Sequence, residues 1–405
     1  MMKKLINILL ALAIIFTFTH CDKEDIKPIS KLLEGDIYLS SQHEVNKFEN
    51  ANYSRVTGNV FVGPYNEYGE IDNSESDILN LNGLSKLDSI GGSLKITYNP
   101  SLIDIDEGLE NISYIGESID IFGNNELEKI DGFNKLTRVK DLLIINNQKL
   151  TNISGFSNLS SIESSLVLED NNELNNINGF RNISKIQESL LINQNSTLIN
   201  VNGLINLEYI GGSLSIERNT ILANLDGFAN LKFIGGNLGL WHNTKLTNIN
   251  SLDNLSSIIG HLWLYGNTKL TSINGLKNIT SIGGHFWLTN NHSLKNLSGL
   301  ENLKQVGELS IEYNDSLLNI NGLSVLDSIG GTLSISVNKK LENIDGLNNL
   351  KYVDNVLSIE YNYLLRNFCG LKSFLTNGTI GGYISIYNNY TYVSVDDIID
   401  GNCNK

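Results

Sequence analysis

The stretch Gly203–Asp226, GLINLEYIGGSLSIERNTILANLD, decides the fold of this chain. Its pattern returns with opening residues at Gly83, Gly108, Gly132, Gly155, Gly179, Gly203, Gly227, Ser251, Gly275, Gly299, Gly322, Gly346 and Gly370, always 23 to 25 residues apart. A fixed short period predicts a stacked solenoid, because one such unit cannot bury its own apolar side and needs a neighbour to cover it. The predicted class is all-β: a parallel solenoid of about 13 leucine-rich coils of about 24 residues, capped at both ends.

Within a coil, counted from its opening residue, positions 12 and 14 are apolar, as in Leu94/Ile96, Leu214/Ile216 and Leu333/Ile335, while the residues between and beside them are mostly polar. That alternation predicts a half-buried strand with a wet outer face. An Asn closes the strand in every copy, from Asn99 and Asn124 through Asn219, Asn243 and Asn267 to Asn362 and Asn389. Asn tolerates the turn that ends a strand, and stacked copies can hydrogen-bond one another as a ladder. Leu222 and Leu225 mark a short second apolar side, and Leu204, Leu207 and Ile210 a third. A Gly-Gly pair often precedes the strand, as at Gly211-Gly212 and Gly283-Gly284, where the missing Cβ permits a sharp corner.

The string I-G-G-x-L-x-I-x-x-N-x-x-L-x-x-I-x-G-L resembles the receptor L domain, a leucine-rich, right-handed β-helix, and the related leucine-rich surface proteins of bacteria. The resemblance covers residues 83–390, with Val56–Gly63 (VTGNVFVG) reading as a zeroth coil. It implies a right-handed parallel β-helix that binds a ligand and brings no catalytic residues with it.

The amino end reads as a targeting segment. Lys3 and Lys4 precede the apolar run Leu5–Phe18, too short to span a membrane comfortably, and the run stops at Cys21. This resembles a bacterial lipoprotein signal in which Cys21 is lipidated, although His20 departs from the small residue favoured before that cysteine. An ordinary signal peptide or an uncleaved anchor is the other reading. Asp22-Lys23-Glu24-Asp25 resembles the surface-export signal of lipoproteins in Bacteroidota. The expected organisation is a signal peptide over 1–20, a tether over 21–35, an amino cap and zeroth coil over 36–82, the repeat array over 83–369, and a last coil with its cap over 370–405. The expected location is the outer membrane, lipid-anchored and surface-exposed.

Ser41 followed by Glu44 predicts a capping helix over residues 41–48. Residues 64–78 read as an acidic surface loop. With Cys21 set aside, Cys369 and Cys403 can form a disulfide that staples the last coil to the tail, or remain two buried thiols.

Function is expected where the repeat breaks rank. The three tryptophans of the chain, Trp241, Trp263 and Trp287, fall on the wet face of three successive coils, with Tyr265, His261 and His285 in the same patch. Clustered exposed aromatics mark a contact surface that suits stacking on sugars or anchoring a protein. Cross-strand pairing alone is the competing explanation. A metal site is not expected, because His261 and His285 lack a third ligand. No cofactor is implied. A formal charge of -15 argues against nucleic acid as a partner. The outward acids Glu169, Glu217, Glu312 and Glu360 stand two or more coils apart, so no catalytic carboxylate pair is expected. The expectation is a non-enzymatic surface protein that binds a glycan or a partner protein. A spacer without a discrete site and a polysaccharide-active β-helix enzyme are the alternatives.

Overall fold

In the computed structural model residues 31–66, 70–71 and 76–404 are described, and they form a stack of parallel coils. The coil of Gly203 shows the anatomy. A 3-10 turn at Asn202–Leu204 leads to the short strand Tyr209–Ile210 and then to the main strand Leu214–Glu217. Main strands pair in register from coil to coil: Leu190 opposes Leu214, Leu214 opposes Leu238, and Leu238 opposes Leu262. Alternation then does what the pleat dictates, sending Leu214 and Ile216 into a core where both are fully buried and leaving Ser215 and Glu217 outside.

Two backbone devices close each main strand. First comes a residue in the left-handed region, among them Asp170, Arg218, His242 and Tyr361 at φ between 53° and 56°. Next comes the Asn, fully buried in each of the coils from Asn99 to Asn362. Asn243 Oδ1 accepts the backbone N–H of Asn219 at 3.1 Å, and Asn243 Nδ2 donates to Ile216 O at 2.8 Å. The same bonds recur at Asn195, Asn219 and Asn267, so one side chain satisfies two backbone groups that a turn in the interior would otherwise orphan.

Apart from Gly299, at φ 109°, the opening glycines serve a close approach rather than an unusual dihedral. A Cβ at Gly203 would overlap the carbonyl oxygen of Ile177, and one at Gly211 that of Gln187. Ser251 occupies the same place by donating its hydroxyl to Leu225 O at 2.7 Å.

The amino cap is the helix Gln42–Ala51, with Ser41 as its N-cap accepting from Glu44 N–H and with Val45 and Phe48 buried. The chain joins the stack earlier than the tether boundary at residue 35 allows. Lys31–Leu33, within the expected tether, is a strand beside Tyr53–Val56, while Ile37–Leu39, within the expected cap and zeroth coil, pairs with Val60–Val62. The cause is the open strand edge of the first coil, which a preceding extended segment completes. Residues 64–78 are likewise not wholly a surface loop. Tyr65 is buried with its ring 5.0 Å from Phe61, and Ser76 donates to Asn99 Oδ1 at 2.8 Å, capping the head of the Asn ladder. At the other end a disulfide joins Cys369 to Cys403, and the helix Val395–Ile399 starts in a capping box at Ser394. Cys21 and the segment proposed as its signal lie outside the described residues.

Candidate functional site

The outer face carries its aromatics on neighbouring strands. Leu238–Trp241, Leu262–Tyr265 and Ser281–Thr289 pair in register, so that Gly239, Trp263 and Trp287 form one outward column and Trp241, Tyr265 and Thr289 the next. Trp263 and Trp287 lie 6.1 Å apart, tilted by 38°. Trp241 meets Trp263 edge-on at 5.3 Å and 88°. His261 stacks on Trp263 at 5.1 Å and 11°, and His285 packs edge-on against Trp287 at 5.6 Å. His242 adds a further ring against Tyr265 at 4.8 Å.

These rings frame an open cleft of ≈ 430 Å³ lined by Trp241, Trp263, Tyr265, Trp287, Thr289, Ser310 and Glu312. Trp287 is its most accessible ring, at 44% exposure. The indole nitrogens of Trp241 and Trp263 are buried and find no hydrogen-bond acceptor among the described residues.

Gly239 is what lets Trp241 lie where it does. A Cβ there would stand 2.8 Å from Trp241 Nε1 and 3.5 Å from Trp263 Cε3, so the indole occupies the space of the missing side chain. Gly266 does the same for His242, whose Nδ1 would lie 2.6 Å from a Cβ at that glycine. Gly239 is absent from the site expected on sequence grounds. The signal was its position, one strand from Trp263 and two residues from Trp241.

The histidines divide. Along the column just before the main strand, each side chain accepts the backbone N–H of the next coil: Ser213 Oγ from Asn237 at 3.0 Å, Asn237 Oδ1 from His261 at 2.8 Å, and His261 Nδ1 from His285 at 2.9 Å. His261 therefore uses Nδ1 as an acceptor and carries its proton on Nε2. His285 ends the series, with Nδ1 2.9 Å from Glu308 Oε2. Among the described residues no three His, Cys, Asp or Glu side chains gather as metal ligands. No helix among them is long and apolar enough to cross a membrane.

The cleft ends on Glu312, whose Oε1 accepts from the hydroxyls of Ser310 and Ser334. Farther along, Glu360 Oε1 accepts from Ser358 and Ser385. Burial alone would raise the Glu360 carboxyl, but the hydroxyls of Ser358, Tyr387 and Ser385 together hold it below its ordinary range. Glu169, on the same face but toward the amino end, is pushed up by burial and by the charges of Asp170 and Glu217.

A family model described as the BspA type leucine-rich repeat region matches the chain in six copies, over residues 97–221 and 238–364. Among solved structures, the chain is similar to that of the pneumococcal vaccine antigen PcpA, at 15% identity over 88% of this chain and 90% of that one, with a TM-score of 0.18. It is also similar to the protein in the crystal structure of a TLR13–ssRNA13 complex, at 13% identity over 89% and 82% of the two chains, with a TM-score of 0.13. At such scores neither likeness speaks to ligand or activity. No curated protein gives a significant match.

Proposed function

The chain belongs to the BspA-type leucine-rich repeat family, and on that premise we propose that it is a recognition protein whose solenoid presents the aromatic cleft to a glycan or a partner protein. The observation that carries this reading is the in-register cluster of Trp241, Trp263 and Trp287 around an open cleft. Pure strand filling explains it poorly. Buried indole donors without acceptors cost free energy in a structural role, on the order of 1–3 kcal/mol each. A rigid strand face needs no ordering on binding, which keeps the entropic cost of recognition low. Catalysis is the weaker reading, because Glu312 and Glu360 are separated by the rung of Ser336, about 10 Å at ~4.8 Å per rung, with no basic residue between them in that column. The formal charge of -15 argues against a nucleic-acid ligand.

The same proposal places the protein on a bacterial surface, in the manner of Bacteroidota lipoproteins and with receptor-L-like coils, anchored through a lipid on Cys21. Its support is the charged and apolar leader ending at that cysteine.

Two experiments test the two halves. The Trp263→Ala/Trp287→Ala variant, with its fold checked by circular dichroism, goes through a glycan and protein binding screen beside the parent. A loss of tenfold or more supports the cleft, and unchanged binding rejects it. Cys21→Ser is expected to move the protein from the membrane fraction to the soluble one. Retention in the membrane would end the anchor assignment.

A further inference from the structure

The outward face does not stop at the tryptophans. Trp287 opposes Ser310, Ser310 opposes Ser334, Ser334 opposes Ser358, and Ser358 opposes Ser385, giving four hydroxyls one rung apart. Beside them, Thr289 leads in register to Glu312, Ser336, Glu360 and Tyr387. The serines at 310 and 334 both donate to Glu312, and those at 358 and 385 both donate to Glu360.

Each of these hydroxyls has one proton and spends it inside the protein, so what it offers outward is lone pairs. Glu312 Oε2 accepts no hydrogen bond from the described residues and adds a further acceptor. The result is an acceptor track that continues directly from the aromatic cleft, since Ser310 and Glu312 line both. A ligand that fits cleft and track together needs an apolar flat face for the rings and a row of donors for the track. An anionic polymer fails, since carboxylates repel it and it brings charge where donors are wanted. A folded protein has no reason to repeat its donors at every rung. A basic peptide supplies donors, but only two of the eight track positions carry charge, and those carboxylates already hold hydroxyl donors, two at Glu312 and three at Glu360. A neutral sugar chain supplies C–H faces, hydroxyl donors and a repeat of its own.

We infer that the ligand is a neutral linear glycan lying along the stack, with sugar faces on Trp263 and Trp287 and hydroxyls donating to Ser310, Glu312, Ser334 and Glu360. This rests on the cleft being the binding site. From Trp241 to Ser385 the path covers roughly 30 Å at ~4.8 Å per rung, longer than a disaccharide, so affinity must grow with chain length.

The test is calorimetry on the full chain with α- and β-linked glucose and mannose oligomers of two to eight residues, beside oligogalacturonate and octalysine. The expected result is at least a tenfold gain in affinity from disaccharide to hexasaccharide for one neutral series. Ser334→Val/Ser358→Val, with its fold checked by circular dichroism, should remove that gain. Trp263→Ala/Trp287→Ala should abolish binding at every length. Affinity independent of length, no binding by any neutral series, or tighter binding of oligogalacturonate or octalysine overturns the inference. If the neutral sugars fail while a protein ligand binds in a manner dependent on Trp263 and Trp287, the glycan falls and the cleft reading stands.

Discussion

The two faces of one strand follow different rules. In Leu238–Trp241 the inward residues Leu238 and Leu240 are fully buried and repeat the chemistry of Leu214 and Ile216 one coil before and of Leu262 and Leu264 one coil after. The outward residues Gly239 and Trp241 repeat nothing, standing between Ser215/Glu217 and Trp263/Tyr265. Inside, each rung completes the packing and hydrogen bonding of its neighbours, so a change in one rung is a fault in two. Outside, a rung does not have to complete its neighbour's packing, and the residue is free to serve a ligand.

The sharpest way to break this contrast is inside. Asn243→Ala strands the N–H of Asn219 and the carbonyl of Ile216. Two buried groups left unpaired should cost about 4 kcal/mol, read as a lower urea midpoint. A cost below about 1 kcal/mol would mean that the ladder is ornamental.

The end of the stack comes next. Cys369→Ser/Cys403→Ser opens a link across 34 residues and should cost roughly 3.5 kcal/mol on the chain-entropy account. Because each coil contacts only its neighbours, the loss should show first as hydrogen exchange in the last coils while the middle stays protected.

Outside, Gly239→Val tests whether a surface position can matter without being structural. The added side chain takes the space of Trp241 and should evict its indole. Stability should fall by no more than about 1 kcal/mol, since a half-exposed ring can swing into water, while tryptophan emission shifts and ligand affinity drops about tenfold. A large stability loss with unchanged emission would erase the distinction between the faces.

The smallest effects are electrostatic and opposite in sign. Glu360 has its carboxyl held below the ordinary 4.5, so it stabilises the fold above that pH and loses the contribution as pH falls through the lowered folded value. Glu169 is raised above 4.5, so the folded state loses stability as pH rises from 4.5 through the raised value and carries a constant penalty beyond it. At pH 7, Glu360→Gln should therefore destabilise and Glu169→Gln should stabilise, each by no more than about 0.5 kcal/mol because solvent screens both sites. Thermal unfolding at pH 7 and pH 4 checks the signs.

Most of the fold could be read from the chain because its information is periodic. The glycine spacing, the apolar pairs such as Leu214/Ile216 and the Asn column each recur about a dozen times, and repetition averages away the ambiguity of any single copy. Reading failed where a feature occurs once. Lys31–Leu33 carries no repeat signature and becomes a strand only because an open edge lies beside it. Tyr65 looked like part of an acidic loop and is buried because Phe61 and Thr97 offer it a ring and a hydroxyl 2.7 Å away. The grouping of Trp241, Trp263 and Trp287 on one face follows from counting positions, whereas the notch at Gly239 and the acceptor role of His261 do not.

What the amino-acid order determined alone is the period, and with it which side chains share a column, since a strand points alternate residues to opposite sides and a fixed repeat stacks like on like. What only the tertiary structure decided is contact within the outer columns: which ring leans on which, where a missing Cβ makes room, and which serines give their protons to Glu312 and Glu360. Those outcomes depend on rotamers chosen between coils 24 or so residues apart, and no local pattern specifies them.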